Sequence, residues 1–151
     1  MDGAPHQRKP RILVIEDNPA DVELLRRALV NAGLDCDLTV IDDGADALSF
    51  IRGAGNHGGM CAPDLAIVDL NLPKHGGLEI VAEMRGNGSF SGLPVVILTS
   101  SSAPRDRAVL ERFHITRYLV KPPDLDEYLK IGLEVKEILA KNRMREGSIP
   151  T

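Results

Sequence analysis

Apolar residues in this chain fall into short unbroken runs separated by amphipathic stretches. Four runs are rich in Val, Ile or Leu: ILVI at 12–15, LAIV at 65–68, VVIL at 95–98 and YLV at 118–120. Continuous rather than alternating runs predict strands covered on both faces, as in a parallel sheet. A fifth segment, CDLTVI at 36–41, alternates polar with apolar residues and predicts an edge strand. The stretches between them have helical spacing. NPADVELLRRALVNAG places Val22, Leu25 and Leu29 on one stripe, with Asn18 as N-cap, Pro19 at the first helical position and Gly33 as the stop. GADALSFIRG predicts a second helix, GLEIVAEMRG a third, and APRDRAVLERF at 103–113 a fourth with Ser101 and Ser102 as cap candidates. A fifth, from about 124 to 140, carries Leu125, Tyr128, Leu129, Val135 and Leu139 on its core stripe. Strand and helix alternate, so the expected class is α/β: a doubly wound five-stranded parallel sheet flanked by five helices.

Polar residues follow each run: Glu16 and Asp17 after the first, Asp69 after the second, Thr99 after the third and Lys121 after the fourth. Ligands of open α/β sheets bind outside the carboxyl ends of the strands, so these five side chains are expected to converge. Two carboxylates ~4 Å apart repel by roughly 4 kcal/mol at an effective dielectric near 20. A divalent cation and a lysine relieve that repulsion. An all-oxygen site without His or Cys suits a hard ion, Mg²⁺ foremost. Thr99 and Lys121 then fit a phosphoryl group, one as hydroxyl donor and the other as ammonium, with a carboxylate as nucleophile. Each residue alone is ordinary, a strand-end Asp being a common turn or cap residue. Their ordered recurrence at successive strand ends carries the reading.

Composition narrows the partners. The 151 residues suit one domain, expected over 11–141 between tails at 1–10 and 142–151. A net charge of −4 argues against nucleic acid as the main partner. Cys36 and Cys61 are expected as free thiols. MDGAPHQRKP is too polar for a secretory signal, and no run approaches the ~18 apolar residues of a membrane span. A cytoplasmic protein with no membrane partner is expected.

ILVIEDNP, LAIVDLNLPKHGGLEI, VVILTSS and YLVKPPDLDEYL together resemble the receiver domain of two-component response regulators over nearly the whole chain. The wording EDNPADVELLRRAL with DLNLPKHGGLEI and KPPDLDEYL is most similar to stand-alone regulators of bacterial phytochrome-type sensor kinases. The resemblance implies a flavodoxin-like, receiver-type sheet and a phosphoacceptor signalling protein, not an enzyme beyond its own phosphotransfer and dephosphorylation. It implies that Asp69 takes a phosphoryl group from a sensor histidine kinase. It further implies that Asp17, Asp69 and the backbone carbonyl of Asn71 ligate Mg²⁺, with Glu16 acting through water. Lys121 would pair with the phosphoryl group, Thr99 would swing to it, and Tyr118 would couple to Thr99 as the switch aromatic.

The chain departs from the family in three places. Its opening pair is Glu-Asp rather than Asp-Asp, Ser100 stands where Ala is common, and residues 53–62 lengthen the loop before the phosphoacceptor strand. His57 and Cys61 in that loop read as ordinary surface. Ile131, Leu133 and Ile138 add apolar surface to the last helix, and a homodimer through the fourth helix, last strand and last helix is one expected use of it. The competing function is a phosphorylation-independent docking module. A flavodoxin-like electron carrier is disfavoured because EDNPAD offers no phosphate loop, and a nucleotide hydrolase because no G-x-x-x-x-G-K-[ST] occurs.

Overall fold

In the computed structural model of the chain, residues 9–53, 63–72, 76–88, 90–100, 108 and 111–147 are described. The strands β1 (Arg11–Ile15), β2 (Asp37–Ile41), β3 (Leu65–Val68), β4 (Val95–Thr99) and β5 (Arg117–Val120) pair in parallel in the order β2-β1-β3-β4-β5. Because side chains alternate across a strand, each of the three central strands feeds two cores. Leu13, Ile15, Ala66, Val68, Val95 and Ile97 face α2 (Gly44–Arg52) and α3 (Gly77–Gly86). Ile12, Val14, Leu65, Ile67, Val96 and Leu98 face α1 (Pro19–Asn31) and the two C-terminal helices. This two-sided burial is what the continuous apolar runs predict.

The edges behave differently. β2 is half-buried, as its alternation predicts. β5 is also an edge strand and is only half-covered, so the expectation that YLV is buried on both faces is corrected. Pairing with β4 alone leaves its outer side open.

Local chemistry fixes the helix ends. The Asn18 side chain accepts from the Ala20 amide at 2.9 Å and Pro19 opens α1. Asp43 caps α2 in the same way at 2.7 Å, and Gly33 and Gly53 end their helices with φ of 76° and 78°. The predicted helix at 103–113 lies mostly outside the described residues, as do its cap candidates Ser101 and Ser102; Ala108 and Glu111 are helical. Most of the 53–62 loop, His57 and Cys61 included, also lies outside them, while Cys36 is a free thiol.

The predicted last helix is two pieces, α4 (Leu125–Leu129) and α5 (Ile131–Gly147), parted by a turn at Lys130. The break resets the helical phase and corrects the core stripe. Tyr128, Ile131, Val135, Ile138 and Leu139 are buried, whereas Leu125 is 47% exposed. Of the three residues expected to supply extra apolar surface only Leu133 is exposed, at 56%. Arg85, near the end of α3, ties distant turns together. Its guanidinium donates to the carbonyls of Phe90, Ser91 and Leu93 before β4, and to those of Phe113 and His114 before β5.

Candidate functional site

The sheet ladder runs one residue past the strands and sets the site at a single level. The Glu16 amide donates to the Ile41 carbonyl at 3.1 Å, Asp69 to Ile15 at 3.0 Å and Lys121 to Thr99 at 2.7 Å. Glu16 and Asp17 thus leave β1 beside Asp69 leaving β3. Strand order reverses between these two strands, and the crevice opens there. Glu16, Asp69 and Thr99 are buried, while Asp17 is exposed at the rim. All five strand-end residues predicted to converge do so. Gly77 allows the close packing around Asp69, since a Cβ there would lie 2.6 Å from the Asp69 carbonyl oxygen and 2.7 Å from the Leu70 Cα.

Lys121 is at the electrostatic centre. Its ammonium has three donors and finds three carboxylates: Asp21 Oδ2 at 2.6 Å, Glu16 Oε1 at 2.8 Å and Asp69 Oδ2 at 3.0 Å. Burial alone would lower its pKa, but these three partners push it above the ordinary lysine value. Burial raises Glu16 from 4.5 to about 7, aided by repulsion from Asp69 and opposed by Lys121. Burial also works against an ionised Asp69, yet the Asn71 amide and Lys121 overcome it and hold this carboxyl below its usual range. The two buried acids are pushed in opposite directions. Asp69 is kept anionic, and Glu16 takes the proton when one is shared.

Asp21 was not anticipated as a site residue. Counting back from Leu25 and Ala28 puts it on the buried stripe of α1, a carboxylate where an apolar residue is expected. That was the available signal. Tyr128, whose hydroxyl lies 3.4 Å from the Asp21 carbonyl, packs beneath it.

Asn71 does more than its backbone carbonyl predicts. Its amide N–H donates to Asp69 Oδ1 at 2.9 Å, and its side-chain nitrogen donates to Thr99 Oγ1 at 3.1 Å and Ser100 Oγ at 3.0 Å. Tyr118, on β5, is partly buried and packs against the α2–α3 side of the core.

Glu16, Asp17 and Asp69 each offer a carboxylate oxygen, all within 4.8 Å of one another. Three hard anionic donors at one rim fit a hard divalent cation and suit no soft metal. Among the described residues no helix is long and apolar enough to cross a membrane.

Comparison with known proteins finds the same fold. The family model for the response regulator receiver domain matches residues 12–131. The response regulator Rcp1 of Synechocystis sp. is 34% identical over 125 residues, which cover 82% of this chain and 85% of Rcp1. The crystal structure of the phosphorylated cyanobacterial phytochrome response regulator RcpA superposes with a TM-score of 0.81 at 30% identity, covering 88% of this chain and 95% of RcpA. The Mn²⁺-bound form of Rcp1 gives a TM-score of 0.77 at 32% identity, covering 84% and 91%.

Proposed function

This chain belongs to the response regulator receiver domain family, and from that premise we propose that Asp69 accepts a phosphoryl group from a phosphohistidine of a phytochrome-type sensor histidine kinase. One observation carries the reading. Asp69 is an anionic carboxylate at the crevice, with Oδ1 on the Asn71 amide, Oδ2 on Lys121, and Glu16 and Asp17 beside it. An Asp69 oxygen attacks phosphorus as the bond to the kinase imidazole breaks, and the electron pair returns to the imidazole nitrogen. Lys121 gives up one of its three carboxylates to face the phosphoryl oxygens, and the Thr99 hydroxyl turns to donate to another. Mg²⁺, held by Asp17, Asp69 and the Asn71 carbonyl with Glu16 acting through water, would neutralise charge on the transferring group.

The protein is a two-component signalling regulator, and its only chemistry is on its own aspartyl phosphate. We place its action in the cytoplasm, with output through contacts between proteins. Tyr118 would carry the Thr99 movement to the β5 surface. Val120 on β5 and Leu133 on α5, both exposed apolar residues, support a homodimer face there. Sedimentation with an acyl-phosphate analogue is expected to show a dimer, and an unchanged monomer removes that face from the proposal.

Incubation with Mg²⁺ and acetyl phosphate, followed by intact mass, tests the main reading. A single phosphoryl adduct is expected in the wild type and none in Asp69→Asn. No adduct at any Mg²⁺ concentration would instead favour the phosphorylation-independent docking module.

A further inference from the structure

We infer, resting on the cation site of the reading above and not on phosphoryl transfer, that Asp21 is a positioning residue. It keeps the Lys121 ammonium on the α1 side of the crevice and so leaves Glu16 and Asp69 available to a cation. An acid at the third position of a helix commonly reaches back to the amide of the N-cap residue. Asp21 holds that position in α1, behind Asn18, Pro19 and Ala20. The Asn18 amide, however, is taken by Glu16 Oε2 at 3.1 Å. The Asp21 carboxylate turns instead to Lys121 at 2.6 Å, the shortest of that lysine's three carboxylate contacts. Its place in the helix does not account for its direction.

The three carboxylates on Lys121 are not equivalent. Glu16 and Asp69 belong with Asp17 to the group whose oxygens lie within 4.8 Å of one another, and Asp21 lies outside that group. A cation there would draw on two of the three acids that neutralise Lys121. An ammonium left with only those two competes for the same oxygens and repels the ion. Asp21 offers it a carboxylate that the cation does not use. The two positive charges are thereby sorted, the ion to the rim and the ammonium to α1. The anchor is itself held, because the buried Tyr128 donates its hydroxyl to the Asp21 carbonyl at 3.4 Å. Asparagine at this position keeps an acceptor oxygen but loses the charge, and Lys121 then leans on Glu16 and Asp69.

Mg²⁺ titrations followed through the backbone amide NMR signals of the crevice test this without phosphorylation, in about 0.5 M KCl, where through-space attraction is screened. The dissociation constant should rise about tenfold in Asp21→Asn, the low end of the loss caused by removing an outer partner of metal ligands. In a Lys121→Met background the same substitution should change it less than about twofold, since its effect passes through the lysine. Hydrogen-bond couplings from Lys121 Nζ to the carboxyl carbons give a readout that a merely structural role does not move: the coupling to Asp21 should survive saturation with Mg²⁺. Equal Mg²⁺ affinity in wild type and Asp21→Asn overturns the inference, as does a wild type that binds no Mg²⁺. So does an undiminished loss in the Lys121→Met background, which would make Asp21 a direct attractor of the ion, or an Asp21 coupling that vanishes as Mg²⁺ binds. If Asp21→Asn weakens Mg²⁺ binding as expected while no protein forms an adduct with acetyl phosphate, the phosphoacceptor reading fails and the role of Asp21 stands.

Discussion

Replacing Gly132 with alanine should cost the fold about 2–3 kcal/mol, although alanine is the better helix former. The methyl group would enter the van der Waals envelope of the Ala28 carbonyl, whose carbon would lie 2.6 Å from it, with the Ala32 Cβ at 3.1 Å. Helix propensity favours the substitution by about 1 kcal/mol. Overpacking against a backbone carbonyl in a packed interface costs typically 1–3 kcal/mol and occasionally more, and a carbonyl has no rotamer with which to give way. The clash wins, and Gly132→Val should be worse. For a domain of this size the alanine variant's loss corresponds to about 5–10 °C in Tm. Urea unfolding checks the sign, since an alanine variant as stable as wild type would mean that propensity dominates. Separation of α1 from α5 would also shift Asp21, which rides on α1, away from Lys121.

Gly132 also shows where sequence reading stops. A strand end is legible because a parallel strand buried on both faces must leave the core at its last apolar residue. Glu16, Asp69 and Thr99 were therefore locatable without coordinates; Lys121 follows the half-covered edge strand β5 and was found only by the end of its apolar run, and the sheet put all four at one rim. Contacts between helices carry no such local rule. Gly132 faces Ala28 and Ala32, but nothing in either helix says which pairs with which. The break at Lys130 was equally hidden, and it exchanged Leu125 for Ile131 and Ile138 in the core. Asp21 falls between these cases. Its place on the inward stripe was visible, but its meaning depended on Lys121 arriving from a hundred residues away. Asn71 was singled out for a backbone carbonyl, while its side-chain contacts to Thr99 and Ser100 needed the geometry of two loops.

Without metal, the wild type is expected to lose stability as pH rises from about 5 to 7.5, and Lys121→Met should steepen that loss. Glu16 titrates at 4.5 when unfolded and at about 7 in the fold, so between these values the native state binds more protons than the unfolded chain. Stability therefore falls across that window and levels off above it, by about 3 kcal/mol at 1.4 kcal/mol per unit. Asp69 acts in the opposite direction and lower down: its depressed pKa contributes stability that is lost only as the medium becomes strongly acidic. Lys121, raised above its ordinary value, contributes throughout the neutral range. Its removal leaves Glu16, Asp21 and Asp69 without the ammonium that all three share. Removing one partner of a buried pair costs about 3–5 kcal/mol. Most of that cost should appear at pH 8, where Glu16 is ionised, and least at pH 5, where it carries a proton. Urea midpoints in EDTA at the two pH values measure the difference. Glu16→Gln should flatten the wild-type decline and rescue Lys121→Met at pH 8, because it removes the acid that the fold least tolerates as an anion. Mg²⁺ should raise the midpoint of Lys121→Met more than that of the wild type, since there a cation replaces the neutralising charge that Glu16 and Asp69 otherwise take from Lys121. Equal midpoints at pH 5 and pH 8 in Lys121→Met would refute the assignment of this lysine as the counter-charge of the site.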